Sequence, residues 1–129
     1  MADVNRGNRP LSPFMIGPYY RPQITSMMSI AHRLTGIGLV LGAVMLVWWL
    51  LAAATDARHF DTIDDLWTSW IGNLLWFCIL WAFSYHLLNG IRHLMWDTTR
   101  GLDLVSVTRS GYAVLIGSVV LTIVVAIAA

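Results

Sequence analysis

Residues 34–54 read Leu-Thr-Gly-Ile-Gly-Leu-Val-Leu-Gly-Ala-Val-Met-Leu-Val-Trp-Trp-Leu-Leu-Ala-Ala-Ala, without one charged side chain. About 20 apolar residues suffice for a helix to cross a bilayer, and this stretch supplies them alone. It is the heart of an apolar segment running from about Ser29 to Ala54. Two more follow, from about Trp70 to Trp96 and from Gly111 to Ala129. Lipid offers no partner for backbone N–H and C=O groups, so each segment must close its own hydrogen bonds as a helix. The expected fold is an all-α membrane protein with three transmembrane helices, spans about 29–54, 70–96 and 111–129. It would form part of a heteromeric helix bundle. Residues 1–28 form an N-terminal arm ahead of this anchor domain, 29–129. Pro10, Pro13, Pro18 and Pro22 interrupt any helix in its first part.

Composition agrees. The 129 residues are 57% hydrophobic and 12% charged, against about 25% charged in soluble domains. Every basic residue is Arg and every acidic one Asp. No basic run points to nucleic acid. Too little sequence lies outside the spans to hold a flavin, a nucleotide or an iron–sulfur cluster, so such chemistry must reside on partners. The lone Cys78 sits in an apolar run with no CxxC or zinc spacing, and reads as a small apolar residue. The polar N-terminus has no apolar h-region, unlike a signal peptide. A bacterial inner-membrane protein is the simplest expectation.

Charge also predicts orientation. The segment between the first two spans carries Asp56, Asp61, Asp64 and Asp65 against Arg58 alone. Arg6, Arg9 and Arg21 lie in the arm; Arg92, Arg100 and Arg109 lie around the second connection. Positive charge collects on the cytoplasmic side. The N-terminus and second connection are therefore expected in the cytoplasm, the Asp-rich segment and C-terminus in the periplasm. Trp48, Trp49, Trp67 and Trp70 fall near the outer ends of the first two spans and Trp96 at the inner end. These are headgroup-level positions for amphipathic aromatics.

Polar residues inside a span are expensive and mark function. Residues 84–97, Ser-Tyr-His-Leu-Leu-Asn-Gly-Ile-Arg-His-Leu-Met-Trp-Asp, carry two histidines. His86 and His93 share a helix face, about 10.5 Å apart along the axis. That offset resembles the distance from a haem iron to its propionates. The deeper His86 is then the candidate iron ligand, with His93 at the propionate end. The competing reading is an imidazole hydrogen-bonded to a neighbouring helix. Gly90, one turn from His86, would let a flat macrocycle or another helix approach. A b-type haem in a bundle wants two axial ligands. The second should come from another subunit, unless His32 fills that role. His59, in the acidic segment, reads as solvated.

The first span opens Ser26-Met-Met-Ser29-Ile-Ala-His32-Arg33-Leu-Thr-Gly36. Ser29, His32 and Arg33 stand at i, i+3 and i+4 and so share a face. Ser29 or Arg33 can donate to a quinone carbonyl, and His32 or Arg33 can pair with haem propionates. An isolated Arg there would instead snorkel to the headgroups. Asp97 and Asp103 flank the end of the second span. Asp97 is either a proton relay to quinone or a carboxylate paired with Arg92 or Arg100.

These pieces together resemble the cytochrome b subunit of succinate dehydrogenase, the larger membrane anchor of bacterial complex II. The matching stretches are Arg9-Pro-Leu-Ser-Pro13, Tyr20-Arg-Pro-Gln-Ile-Thr25, Ser29 to Gly36, and Tyr85 to Asp97. They occur in family order across nearly the whole chain. The resemblance implies that His86 ligates haem b from one side. A histidine of a second, smaller anchor subunit would ligate it from the other. It implies that Ser29 and Arg33 line a ubiquinone site near an iron–sulfur subunit, and that His32 and His93 lie near the propionates. FAD and the iron–sulfur clusters would reside on the flavoprotein and iron–sulfur partners. The expected function is anchoring and quinone reduction in succinate:ubiquinone oxidoreductase, with no enzyme activity from this chain alone. The alternatives are a haem b anchor of a fumarate reductase or other quinone enzyme, and a haem-free membrane module.

Overall fold

A computed structural model of the chain describes residues 21–128. The arm up to Tyr20, with Arg6, Arg9 and three of its prolines, lies outside the described residues, as does Ala129. Four helices follow one another: α1 (Ile24–Thr55), α2 (Ala57–Thr68), α3 (Trp70–Asp97) and α4 (Leu104–Ala128). Three of them, α1, α3 and α4, are long and apolar enough to cross a membrane. α1 begins at Ile24, ahead of the apolar run, so the last residues of the arm are already helical. α4 likewise starts at Leu104 rather than Gly111. Its start is capped by Asp103, whose carboxylate accepts the Ser106 N–H at 2.9 Å. That hydrogen bond, supported by the Ser106 hydroxyl, holds the Asp103 carboxyl below its ordinary pKa.

The Asp-rich segment between the first two spans is itself helical. α2 turns one face inward, with Ile63 buried and Phe60, Asp64 and Trp67 partly so. These residues fall at helical spacing, leaving Asp61 and Asp65 outside. Trp49 Nε1 donates to Asp64 at 3.0 Å, and Trp67 meets Trp48 edge-on at 5.8 Å between ring centroids. Asp56 ends α1 and caps α2 by accepting the Arg58 N–H. Ser69 caps α3 by accepting the Gly72 N–H at 3.2 Å. A Cβ on Gly72 would run into the Leu66 and Trp67 carbonyls, so this sharp α2–α3 corner requires glycine.

α3 packs against both α1 and α4. Gly111, Val114, Ser118 and Thr122 are the buried residues of α4. Small side chains let helix backbones approach inside a membrane. The buried hydroxyls are satisfied within their own helix: Ser118 Oγ donates to the Leu115 carbonyl, and Thr122 Oγ1 to that of Ser118. Opposite them, α3 presents Tyr85, Asn89 and Arg92, all buried. Tyr85 Oη donates to the Met28 carbonyl at 2.9 Å, fixing the register of α3 on α1. The outward faces are apolar: Ile37, Val40, Leu41 and Val44 are each more than 60% exposed. Such a surface is stable only in lipid or beneath other helices.

Contacts place the Arg-bearing residues at one end of the bundle. Met28 of α1, Arg92 of α3 and Gly111 of α4 meet there. Acidic α2 covers the opposite end. Among the described residues, Asp56, Asp61, Asp64 and Asp65 thus lie with Arg58 at one end of the bundle, and Arg92, Arg100 and Arg109 lie with Asp97 and Asp103 at the other.

Candidate functional site

The site begins with two helical stripes on α3. Tyr85, Asn89 and Arg92 form the stripe turned into the bundle. His86, Gly90 and His93 follow one residue later and form the stripe beside it. That stripe meets His32, which projects from α1. The His32 and His86 rings stack, 3.8 Å between centroids and 12° between planes. His93 lies 5.4 Å from His32 at 57° and stacks on Trp96 at 5.1 Å. Three of the predicted histidines therefore form one cluster, with His32 between the other two.

α1 holds His86 by one nitrogen. His86 Nδ1 lies 3.1 Å from the His32 carbonyl and 3.3 Å from Thr35 Oγ1. A carbonyl only accepts, so Nδ1 carries the proton and donates. Nε2 then bears the lone pair, which is the form of imidazole that binds a metal. Gly36 permits the approach: a Cβ there would sit 3.2 Å from His86 Cε1. On the other side, a Cβ on Gly90 would meet nothing within 4 Å, so this face is open to a group from outside the chain. An apolar furrow of about 440 Å³, lined by residues that include Thr35, Gly38, Trp81 and Ala82, continues between α1 and α3.

Two polar atoms of the cluster lack partners. Nδ1 of His32 and Nδ1 of His93 are buried without a hydrogen bond. Buried polar atoms are nearly always paired, and an exception points to a missing group. No group of three or more metal-ligating side chains occurs among the described residues. The donor set thus offers one imidazole to a metal and two imidazoles to a polar ligand, which fits a haem held by a single ligand from this chain. The His32 and His86 rings are stacked face to face, an arrangement that does not aim their nitrogens at one ion between them.

Ser29 is half-buried and Arg33 exposed. They lie on the same side of α1, about 40° apart around its axis. His32 turns inward while Arg33 turns outward, so the structure does not bring Arg33 onto the histidine cluster. Arg33 and Ser29 form a separate polar edge next to it. Asp97 is exposed at the end of α3. His59 is exposed on α2, and Cys78 is exposed on α3.

Arg92, one of the two Arg alternatives for pairing with Asp97, turns into the bundle instead. It is 4% exposed and does not turn to Asp97. Nε donates to Ser110 Oγ at 3.0 Å, Nη2 to the Val107 carbonyl at 2.8 Å and Nη1 to Asn89 Oδ1 at 3.4 Å. Its guanidinium lies over Trp96, 4.0 Å from the ring centroid. The spacing of Tyr85, Asn89 and Arg92 was the available signal, since all three share one stripe. Thr35 and Gly36 carried no assigned role; their signal was their place in the Ser29 to Gly36 stretch, one turn from His32.

Fold and site define a three-span membrane subunit with a histidine cluster at the Arg-bearing end of its bundle. Residues 5–125 match the family described as succinate dehydrogenase/fumarate reductase transmembrane subunit. The succinate dehydrogenase cytochrome b556 subunit of Paracoccus denitrificans is 45% identical over 95% of this chain and 93% of its own. That of Rickettsia conorii is 37% identical over 89% and 88%. The mitochondrial succinate dehydrogenase cytochrome B subunit of Schizosaccharomyces pombe is 39% identical over 88% of this chain and 65% of its own. The chain belongs to the family of succinate dehydrogenase cytochrome b membrane subunits.

Proposed function

We propose that this chain is the haem b-ligating anchor of a succinate:ubiquinone oxidoreductase in a bacterial inner membrane. A flavoprotein subunit oxidises succinate, and an iron–sulfur subunit delivers the electrons to ubiquinone at the Arg-bearing end of the bundle. That end faces the cytoplasm, so the C-terminus is periplasmic. The chain is not an enzyme alone. The observation that carries the reading is His86, tethered through Nδ1 to α1 with Nε2 left for iron. Bound haem b supplies a one-electron store beside the quinone. His32 and His93 offer their unpartnered nitrogens to its polar edge, and Arg33 offers a cation close by. A smaller anchor subunit would supply a second imidazole to the haem and would cover the open face at Gly90. Ser29 and Arg33 donate to the quinone oxygens, where negative charge develops on reduction; donors fixed in advance stabilise that charge most. The names of the bacterial relatives support the succinate-oxidising direction over fumarate reduction.

The test is a reduced-minus-oxidised spectrum of the assembled complex. His86→Ala should abolish the haem band or leave a loosely bound, altered haem. His93→Ala should keep a six-coordinate spectrum. Interchanged spectra would refute the assignment of His86 to iron.

A further inference from the structure

The geometry points to Thr35 as a positioning residue that sets the electron-donating strength of the His86 imidazole, and through it the potential of the iron. This rests on the haem reading above.

The argument starts from the Nδ1 proton. It faces two acceptors on one turn of α1, the His32 carbonyl at 3.1 Å and Thr35 Oγ1 at 3.3 Å. The Thr35 hydroxyl has carbonyls for its own proton, those of Ala31 and His32, each at 2.9 Å. Its lone pairs therefore remain for His86. That same back-bond to the preceding turn fixes the hydroxyl in place. Thr35 is 8% exposed, so water is a poor substitute. Gly36 keeps the space beside it clear. A hydrogen bond from the distal nitrogen of a ligating imidazole raises its basicity. A more basic ligand favours ferric over ferrous iron and lowers the potential. Two acceptors polarise the N–H more than one. Thr35 touches neither iron nor quinone, so it acts only through His86.

The experiment uses the whole assembled complex carrying Thr35→Val or Thr35→Ser. Haem content, midpoint potential by redox titration and the low-temperature EPR signal of the ferric haem are measured. Thr35→Val keeps the shape and removes the hydroxyl. It should retain haem and shift the ferrous:ferric ratio at fixed ambient potential about threefold toward ferrous. For one electron this is about 28 mV upward, since tenfold is 59 mV. Thr35→Ser keeps the hydroxyl and should match the wild type in potential and EPR signal. An unshifted or lowered potential in Thr35→Val would overturn the proposal. So would Thr35→Ser behaving like Thr35→Val. If Thr35→Val loses haem altogether, recovery of haem and potential in Thr35→Ser supports the proposal, and failure to recover overturns it. His86→Ala separates the two levels. If it retains a wild-type haem spectrum, the ligand assignment itself has failed. If it is haem-free while Thr35→Val is unshifted, only the role of Thr35 has.

Discussion

Replacing Gly36 by alanine tests whether α1 holds the imidazole of His86. The added Cβ would lie 3.2 Å from Cε1 and 3.7 Å from Nδ1 of His86. Carbon atoms pack best at about 3.5–4.0 Å, so the ring must retreat by roughly 0.3–0.5 Å. The Nδ1 to carbonyl distance of 3.1 Å would then lengthen to about 3.4–3.6 Å, at or beyond the limit of a hydrogen bond. Losing one such bond costs about 1 kcal/mol, and imperfect relief of the contact adds on the order of 1 kcal/mol more. Together these predict a roughly tenfold to thirtyfold weaker hold on haem, at about 1.4 kcal/mol per tenfold. The measurement is haem per assembled complex during dilution or competition with apomyoglobin. Gly38→Ala is the control on the same helix, because a Cβ there meets nothing within 4 Å. Wild-type haem retention in Gly36→Ala would refute the reasoning. Equal loss in Gly38→Ala would refute it too, since added bulk on α1 would then matter wherever it sits.

Three further outcomes are expected. Arg92→Lys keeps the charge but loses the planar fork that serves Ser110, Val107 and Asn89. It should destabilise the detergent-solubilised complex by about 1.5–3 kcal/mol, the worth of one charged hydrogen bond, and an unchanged melting temperature would contradict the role of Arg92 in joining α3 to α4. A reporter fused after Asp61 should read periplasmic and one after Arg100 cytoplasmic; the reverse pattern would invert the proposed site placement. The depressed Asp103 carboxyl stabilises the start of α4 when ionised. That contribution is complete above the ordinary carboxylate pKa of about 3.9 and disappears as pH falls through the lower, folded value. Hydrogen-exchange protection of the Ser106 amide should fall across that acid window, and Asp103→Asn should flatten the dependence.

The three spans were legible because hydropathy over about 20 residues is the strongest signal a sequence carries. α2 was hidden by the same signal. Its three Asp residues and the capping Asp56 made 55–69 look like a solvated connection, while the helical spacing of Phe60, Ile63 and Trp67 pointed to an inward face. Helix starts at Ile24 and Leu104 were hidden for a related reason: hydropathy marks where lipid begins, not where hydrogen bonding does. At the site, the shared face of His86 and His93 followed from periodicity within one helix. The stacking of His32 on His86 did not. It depends on how α1 and α3 are set against each other, and that register is fixed by Tyr85 reaching the Met28 carbonyl, a contact between residues far apart in sequence. The burial of Arg92 was harder to read because a charged residue near a span end is usually interfacial. Here Ser110 and the Val107 carbonyl of α4 supply the partners that let it be buried.

The register contact also bears on how the proposed haem and quinone sites are held relative to each other. One stretch of α1, from Met28 to Gly36, carries the Tyr85 acceptor, Ser29, His32, Arg33, Thr35 and the gap at Gly36. The His86 proton is held from inside this stretch, and the proposed quinone donors project from its outer side. A shift of α1 against α3 would therefore move both sets together. Helix-borne groups hold position better than loop-borne ones, and the buried Tyr85 hydrogen bond pins the stretch at its start. Removing that hydroxyl, as in Tyr85→Phe, leaves the Met28 carbonyl with its helical bond and the aromatic packing intact. Loss of the pin should then loosen the imidazole tether and the quinone donors in the same variant, although Tyr85 itself faces neither.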